Sequence, residues 1–206
     1  MIFIVSGPSG SGKSTVVEQV LRRIPILHLG ISCTTRSQGE GEINGKHYRF
    51  ISNLEFTQMV SNEELAEWAE VHGKYYGTPK SELVHPNVLL EIDWQGAREI
   101  KEKYKDVRTI FVLPPSREEM ERRLRVRGRG ESEEAIVKRL TNAVIELNQA
   151  LSYDAWLQND ELNRVVEKMC GLIAYFGSGG KTVPAAYRDR RLLQRVRATF
   201  SSSQLT

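Results

Sequence analysis

Apolar and polar positions follow two rhythms along this chain, and the places where the rhythm changes mark its parts. The opening run Met1-Ile2-Phe3-Ile4-Val5 is uninterrupted, as in a strand buried on both faces of a sheet. Over residues 14–24, Val16, Val17, Val20, Leu21 and Ile24 recur at helical spacing until Pro25 ends the pattern. The runs 88–93 and 109–113 predict two more core strands, the first carrying Glu91 and Asp93, two apart and therefore on one face. Helices are predicted over about 95–104, after the capping box Ser116-Arg117-Glu118-Glu119, over 132–152 and over 160–176, with a short strand at 155–158. Strands alternating with helices predict an α/β fold, a parallel sheet flanked by helices.

Two stretches break this rhythm. From residue 30 to about 79 the runs are short and rich in polar and aromatic residues. Asn44-Gly45 there signals a hairpin, and two short helices are predicted near 54–60 and 63–68. We read this as an α+β subdomain, 31–84, inserted in a core made of 1–30 and 85–177. After Ser178-Gly179-Gly180 the basic, Ser-rich end, 178–206, offers no evident core to join and is predicted to be a flexible tail.

Between the first strand and the first helix stands Gly7-Pro8-Ser9-Gly10-Ser11-Gly12-Lys13-Ser14-Thr15, the spacing G-x-x-x-x-G-K-S of a phosphate-wrapping P-loop in its required strand-to-helix context. Glycines let the backbone N–H groups turn toward an anion. Lys13 supplies a point charge for the β and γ phosphates, and the hydroxyl of Ser14 suits Mg²⁺. Glu91 is a second candidate, orienting metal-bound water or an arginine. Further on, Arg122, Arg123, Arg125, Arg127 and Arg129 crowd one segment that ends in Gly128 and Gly130. Such a density of like charge calls for an anion, and with a P-loop in the same chain it predicts an arginine-bearing lid at about 122–138.

Composition narrows the partners. With 40% hydrophobic and 27% charged residues among 206, the chain is neither disordered nor membrane-spanning, and no apolar run approaches the roughly 18 residues of a transmembrane helix. A first strand at the amino end leaves no room for a signal peptide, so a cytoplasmic setting is expected. Cys33 and Cys170 lack metal-ligand spacing and are expected as free thiols. The net charge of +3 is carried by 178–206, with six basic residues against one acid, which leaves the rest slightly acidic and makes a nucleic-acid partner unexpected.

From Met1 to about Phe176 the chain resembles the guanylate kinase family. The resemblance is carried by the P-loop, Ser32-Cys33-Thr34-Thr35-Arg36, Gly41-Glu42-Ile43-Asn44-Gly45-Lys46-His47-Tyr48, Glu67-Trp68-Ala69, Tyr75-Tyr76-Gly77-Thr78, Ile92-Asp93-Trp94-Gln95-Gly96 and Asn159-Asp160. It implies ATP and GMP as substrates with Mg²⁺. Arg36, Tyr48 and Tyr76 would bind the GMP phosphate, and Ser32, Glu67, Thr78 and Asp93 would surround its guanine. Arg123, Arg127 and Arg139 would grip the ATP phosphates, and Asn159 would touch adenine. Lys13, Arg36, Arg127 and Arg139 would be the catalytic charges. One carboxylate such as Glu67 can accept both N1–H and the exocyclic amine of guanine, a donor pair that adenine lacks. The chain departs from the family at Gly39, where a second phosphate-binding arginine is usual. That departure keeps a related P-loop kinase for another monophosphate or a phosphorylated sugar in view. A non-catalytic guanylate-kinase-like interaction module is a third reading, which an intact P-loop disfavours.

Overall fold

The computed structural model describes residues 1–71, 73–126 and 132–201. In chain order these form β1 (Ile2–Ser6), α1 (Lys13–Arg23), β2 (His28–Gly30), β3 (Cys33–Thr34), β4 (Arg49–Phe50), α2 (Asn53–Ser61), β5 (Leu65–Val71), β6 (Lys74–Pro79), β7 (Val88–Glu91), α3 (Trp94–Lys103), β8 (Val107–Leu113), α4 (Arg117–Val126), α5 (Glu133–Gln149), β9 (Ala155–Gln158), α6 (Leu162–Gly177) and α7 (Arg190–Ser201). The class is α/β as expected. A five-stranded sheet has the order β2-β7-β1-β8-β9, with parallel pairing at β2–β7 and at β8–β9. All five residues of β1 and most of β7, β8 and β9 are buried, the condition of strands covered on both faces. Among the described residues, no helix is long and apolar enough to cross a membrane.

Contacts divide the chain into two units. One comprises Met1–Ile4 and Ile26–Val107, the other Val5–Pro25 and everything from Arg108 onward. The first therefore takes in β7 and α3 as well as the predicted insertion. Within it lies a four-stranded sheet of order β4-β3-β6-β5, over which Phe56 of α2 stacks on Tyr75 at 5.4 Å and closes a small core with Cys33 and Leu65. The Cys33 thiol donates to the Gly77 carbonyl and burial pushes it up to about 11, an inert thiol; it and Cys170 are both free.

Three expectations are corrected in this unit. The helix predicted at 63–68 is the strand β5, whose Glu67 and Ala69 face inward while Trp68 and Glu70 face out. A period of two was present, but an acid on the inward face disguised it. Asn44-Gly45 does turn, with Gly45 at φ +78. It makes no hairpin, because the following β4 pairs parallel with β3 through Cys33 and Thr34. Asp93 also leaves the strand: β7 ends at Glu91, and Asp93 caps α3, accepting from the Gln95 and Gly96 N–H groups at 3.0 and 2.9 Å.

In the second unit α1 packs on α6, while Thr109 and Asp154 lock β8 to β9 through two hydrogen bonds to Asp154 Oδ2, each 2.8 Å. The flexible tail predicted at 178–206 is corrected here. Residues 190–201 form α7, which packs against α4 and α5 with Leu193, Val196 and Phe200 buried. These positions, spaced three and four apart, make one narrow apolar face that bulk composition averaged away. Arg197 donates to the Leu147 and Asn148 carbonyls at 2.8 and 3.3 Å, placing a cation at the negative end of α5.

Candidate active site

The second unit carries the phosphate loop. Gly7, Gly10 and Gly12 all have positive φ, and a Cβ on Gly7 would stand 2.3 Å from the Val112 carbonyl oxygen. A side chain at Gly12 would likewise meet Asn159 Nδ2 at 2.3 Å. These positions require glycine. The helix α1 then begins at Lys13 with no side-chain cap and no acid in its first turn, leaving its N–H groups and positive end to an anion. The buried hydroxyls of Ser6 and Ser11 find no hydrogen-bond partner among the described residues, as suits a loop shaped to face phosphate oxygens.

Three of the predicted nucleotide residues meet on this loop. Asn159 Nδ2 and Arg123 Nη1 both donate to the Ser11 carbonyl, at 2.8 and 3.1 Å, and Arg139 Nη1 donates to Ser9 Oγ at 2.8 Å. Helices α4 and α5 and the turn after β9 thus brace the loop from outside. The arginine crowding, however, is relieved without a ligand. Glu119 takes Arg122 at 2.7 Å and Arg123 at 2.8 Å, and Arg125 is shared by Glu121 and Glu133. These two arginines hold the Glu119 carboxyl down to about 2. The expectation that the run as a whole demands an anion is corrected to that extent. Arg127, with Gly128, Arg129 and Gly130, lies outside the described residues.

In the first unit Glu67 is only 4% exposed. Thr78 Oγ1 donates to its Oε1 at 2.5 Å, and Ser32 Oγ lies 3.1 Å from Thr78 Oγ1. The expected trio of Ser32, Thr78 and Glu67 is therefore assembled. Burial, reinforced by Asp93 and Glu99 and opposed by Thr78 and Lys103, pushes Glu67 up to about 7. Gly96 fits against its other oxygen, where a Cβ would stand 2.3 Å from Oε2.

The trio expected to bind the GMP phosphate is assembled too. Arg36 lies 5.6 Å from the Tyr48 ring and 5.4 Å from that of Phe50, and Tyr48 meets Tyr76 edge-on at 5.9 Å. Burial raises the Tyr48 phenol well above its usual range, with Glu91 and then Tyr76 adding to the shift, so both it and Glu91 belong to this cluster. Arg36 is also held bidentately by Glu42, at 2.8 and 2.9 Å.

A family model described as guanylate kinase matches residues 1–175. The chain belongs to the guanylate kinase family. It is 44% identical over 174 residues to the guanylate kinase of Carboxydothermus hydrogenoformans, covering 82% of this chain and 85% of that one. It is 41% identical over 211 residues to the guanylate kinase of Salmonella typhimurium, covering 99% and 96%. A crystal structure of guanylate kinase from Anaplasma phagocytophilum is similar with a TM-score of 0.71 at 33% identity, covering 84% of each chain. The helix α7 lies beyond the part that the guanylate kinase model matches.

Against that family pattern, sequence reasoning missed the work of Glu42, Gly96 and Lys103. Glu42 and Gly96 stood inside quoted motifs and only lacked a reason. At Gly39, where the resemblance leads one to expect arginine, the N–H donates to Glu42 Oε2 at 2.7 Å. Of the neighbouring cations, Arg49 is paired with the buried Glu82, which also takes His28 at 3.0 Å, while Lys46 is exposed.

Proposed function

We propose that this guanylate kinase transfers the γ-phosphoryl group of ATP to GMP, and to dGMP, giving ADP and GDP in cytoplasmic purine nucleotide metabolism. The observation that carries the choice of acceptor is the buried Glu67 with Thr78 and Ser32 beside it. A carboxylate is kept out of water where a guanine edge would supply two donors to it, and the Ser32 hydroxyl, beside the Thr78 hydroxyl that is committed to Glu67, can turn to donate to O6. Asp93 completes the surroundings of the base. Arg36, Tyr48 and Tyr76 hold the GMP phosphate, and residues 31–84 are the part that binds this substrate. On the ATP side the loop Gly7–Thr15 and Lys13 take the phosphates, Asn159 lies toward adenine, and Arg123, Arg127 and Arg139 add positive charge, with about 122–138 as the lid.

The acceptor oxygen of GMP is already ionised near neutral pH, so no strong general base is required. The protein's work is alignment and neutralisation of charge on the transferring group, by Lys13, Arg36, Arg127 and Arg139. Among the described residues no cluster of three or more His, Cys, Asp or Glu forms a metal cage. The donor set instead fits a hydrated Mg²⁺ that arrives on ATP and needs few protein oxygens. Ser14, exposed on the first turn of α1, would hold it, and Glu91 would act through its water. Bound there, Mg²⁺ neutralises phosphate charge. The test is ADP formation with GMP, dGMP, AMP, UMP and CMP: guanine nucleotides are expected to be used best, and higher activity with any other base would overturn the assignment.

A further inference from the structure

Glu67 does not sit on a regular ladder. Leu65 pairs with Pro79 and Glu67 with Thr78, so two residues of β5 face one of β6 and Ala66 is the extra residue of a β-bulge. A bulge bends its strand and re-aims the next side chain, and such features concentrate at functional sites. Into this bulge reaches Lys103, the last residue of α3, whose Nζ donates to the Ala66 carbonyl at 3.1 Å while pairing with Glu99 at 2.8 Å. The same helix meets the carboxylate through Gly96. Thus α3 holds the acid at two points, one on its backbone and one on its side chain.

We propose that Lys103 is a positioning residue for Glu67: it ties the bulge that aims the carboxylate and supplies the cation that keeps it ready to accept guanine. The proposal rests on the reading of Glu67 as the guanine acceptor. The charged groups facing Glu67 are Asp93 at the cap of α3, and Glu99 and Lys103 on α3; from β6 it is faced by the neutral Thr78, and from β3 by the Cys33 thiol. Lys103 is the one cation in that set. Its pair with Glu99 is half-exposed, at 53% and 32% of the side chains, and such i,i+4 pairs add little to stability. Lys103 lines a cavity of about 260 Å³ together with Leu65, Ala66, Trp68 and Tyr104, which leaves room beside it for the unbranched side chain of methionine.

The experiment uses the full chain with Lys103→Met, Lys103→Arg and Glu67→Gln, measuring kcat, KM for GMP, KM for ATP and the preference for GMP over AMP from pH 6.0 to 8.5. Without the lysine charge Glu67 ionises later. Lys103→Met should therefore raise KM for GMP about threefold to tenfold at pH 6.5, with the gap narrowing by pH 8.5, kcat within about twofold and KM for ATP unchanged. Lys103→Arg should restore the wild-type profile. An unchanged KM for GMP at pH 6.5, or kcat and KM for ATP changing with it, would overturn the proposal; a rise equal at every pH would overturn the charge role and leave the bulge tie alone. If Lys103→Met does not fold, Lys103→Gln is judged by the same results. Glu67→Gln separates the two levels. Lost guanine preference there with no effect at Lys103 removes the positioning role alone, while retained preference removes the Glu67 reading and this proposal with it.

Discussion

Glu67, the proposed acceptor of guanine, is held at a cost in stability. Its carboxyl is moved from the ordinary 4.5 to about 7, so between those values the folded chain binds more protons than the unfolded one. Stability therefore falls as pH rises through that window, by roughly 3 kcal/mol once the group is fully ionised. A neutral isostere escapes this. In thermal melts without nucleotide, Glu67→Gln should melt higher than wild type at pH 8.5 and alike at pH 4; no gain at pH 8.5 would show that the carboxylate is not strained by burial. Gly39 makes the opposite case. Its φ is ordinary, and a Cβ there would stand 2.9 Å from Glu42 Oε2, the oxygen that the Gly39 N–H and Arg36 hold, so an arginine asks only that Glu42 shift its carboxylate slightly. Gly39→Arg should thus be tolerated and should lower KM for GMP about threefold to tenfold by adding a charge-assisted phosphate contact. An unchanged KM would mean that another cation already serves. These residues also mark how far the sequence could be read. The motifs named Ser32, Glu67, Thr78, Arg36, Tyr48 and Tyr76, and the structure brings each trio together. The motifs could not show that Arg36 is clasped by Glu42, because that pairing depends on the fold of the segment between them.

At the scale of elements, legibility followed the purity of the pattern. Wherever apolar residues alone set the rhythm, as in β1, α1, β8, β9 and α6, the observed bounds fall within two residues of those expected. Where an acid stands on a buried face, as in β5, or where four arginines mask the buried Leu193, Val196 and Phe200, as in α7, the reading failed. The docking of α7 can be tested directly. Phe200 is 5% exposed, so Phe200→Ala should destabilise the chain by about 3 kcal/mol in urea melts. Truncation before Arg190 should do at least as much; stability unchanged by either variant would mean that α7 does not pack in solution.

For the whole molecule, the proposed chemistry is divided between two sets of residues. Lys13 and the P-loop lie in one unit, Glu67 and Arg36 in the other, and the effects of altering them should separate. Lys13→Ala should lower kcat by at least about a hundredfold while leaving the ratio of kcat/KM for GMP over AMP nearly intact. Glu67→Gln should do the reverse. The most direct test of the account is that ratio itself, measured for GMP and AMP with wild type and Glu67→Gln under identical Mg²⁺ and ATP. The prediction is a wild-type preference for GMP of at least about a thousandfold, falling more than tenfold in the variant. A wild-type enzyme that phosphorylates AMP as well as GMP, or a variant that keeps the full preference, would contradict it.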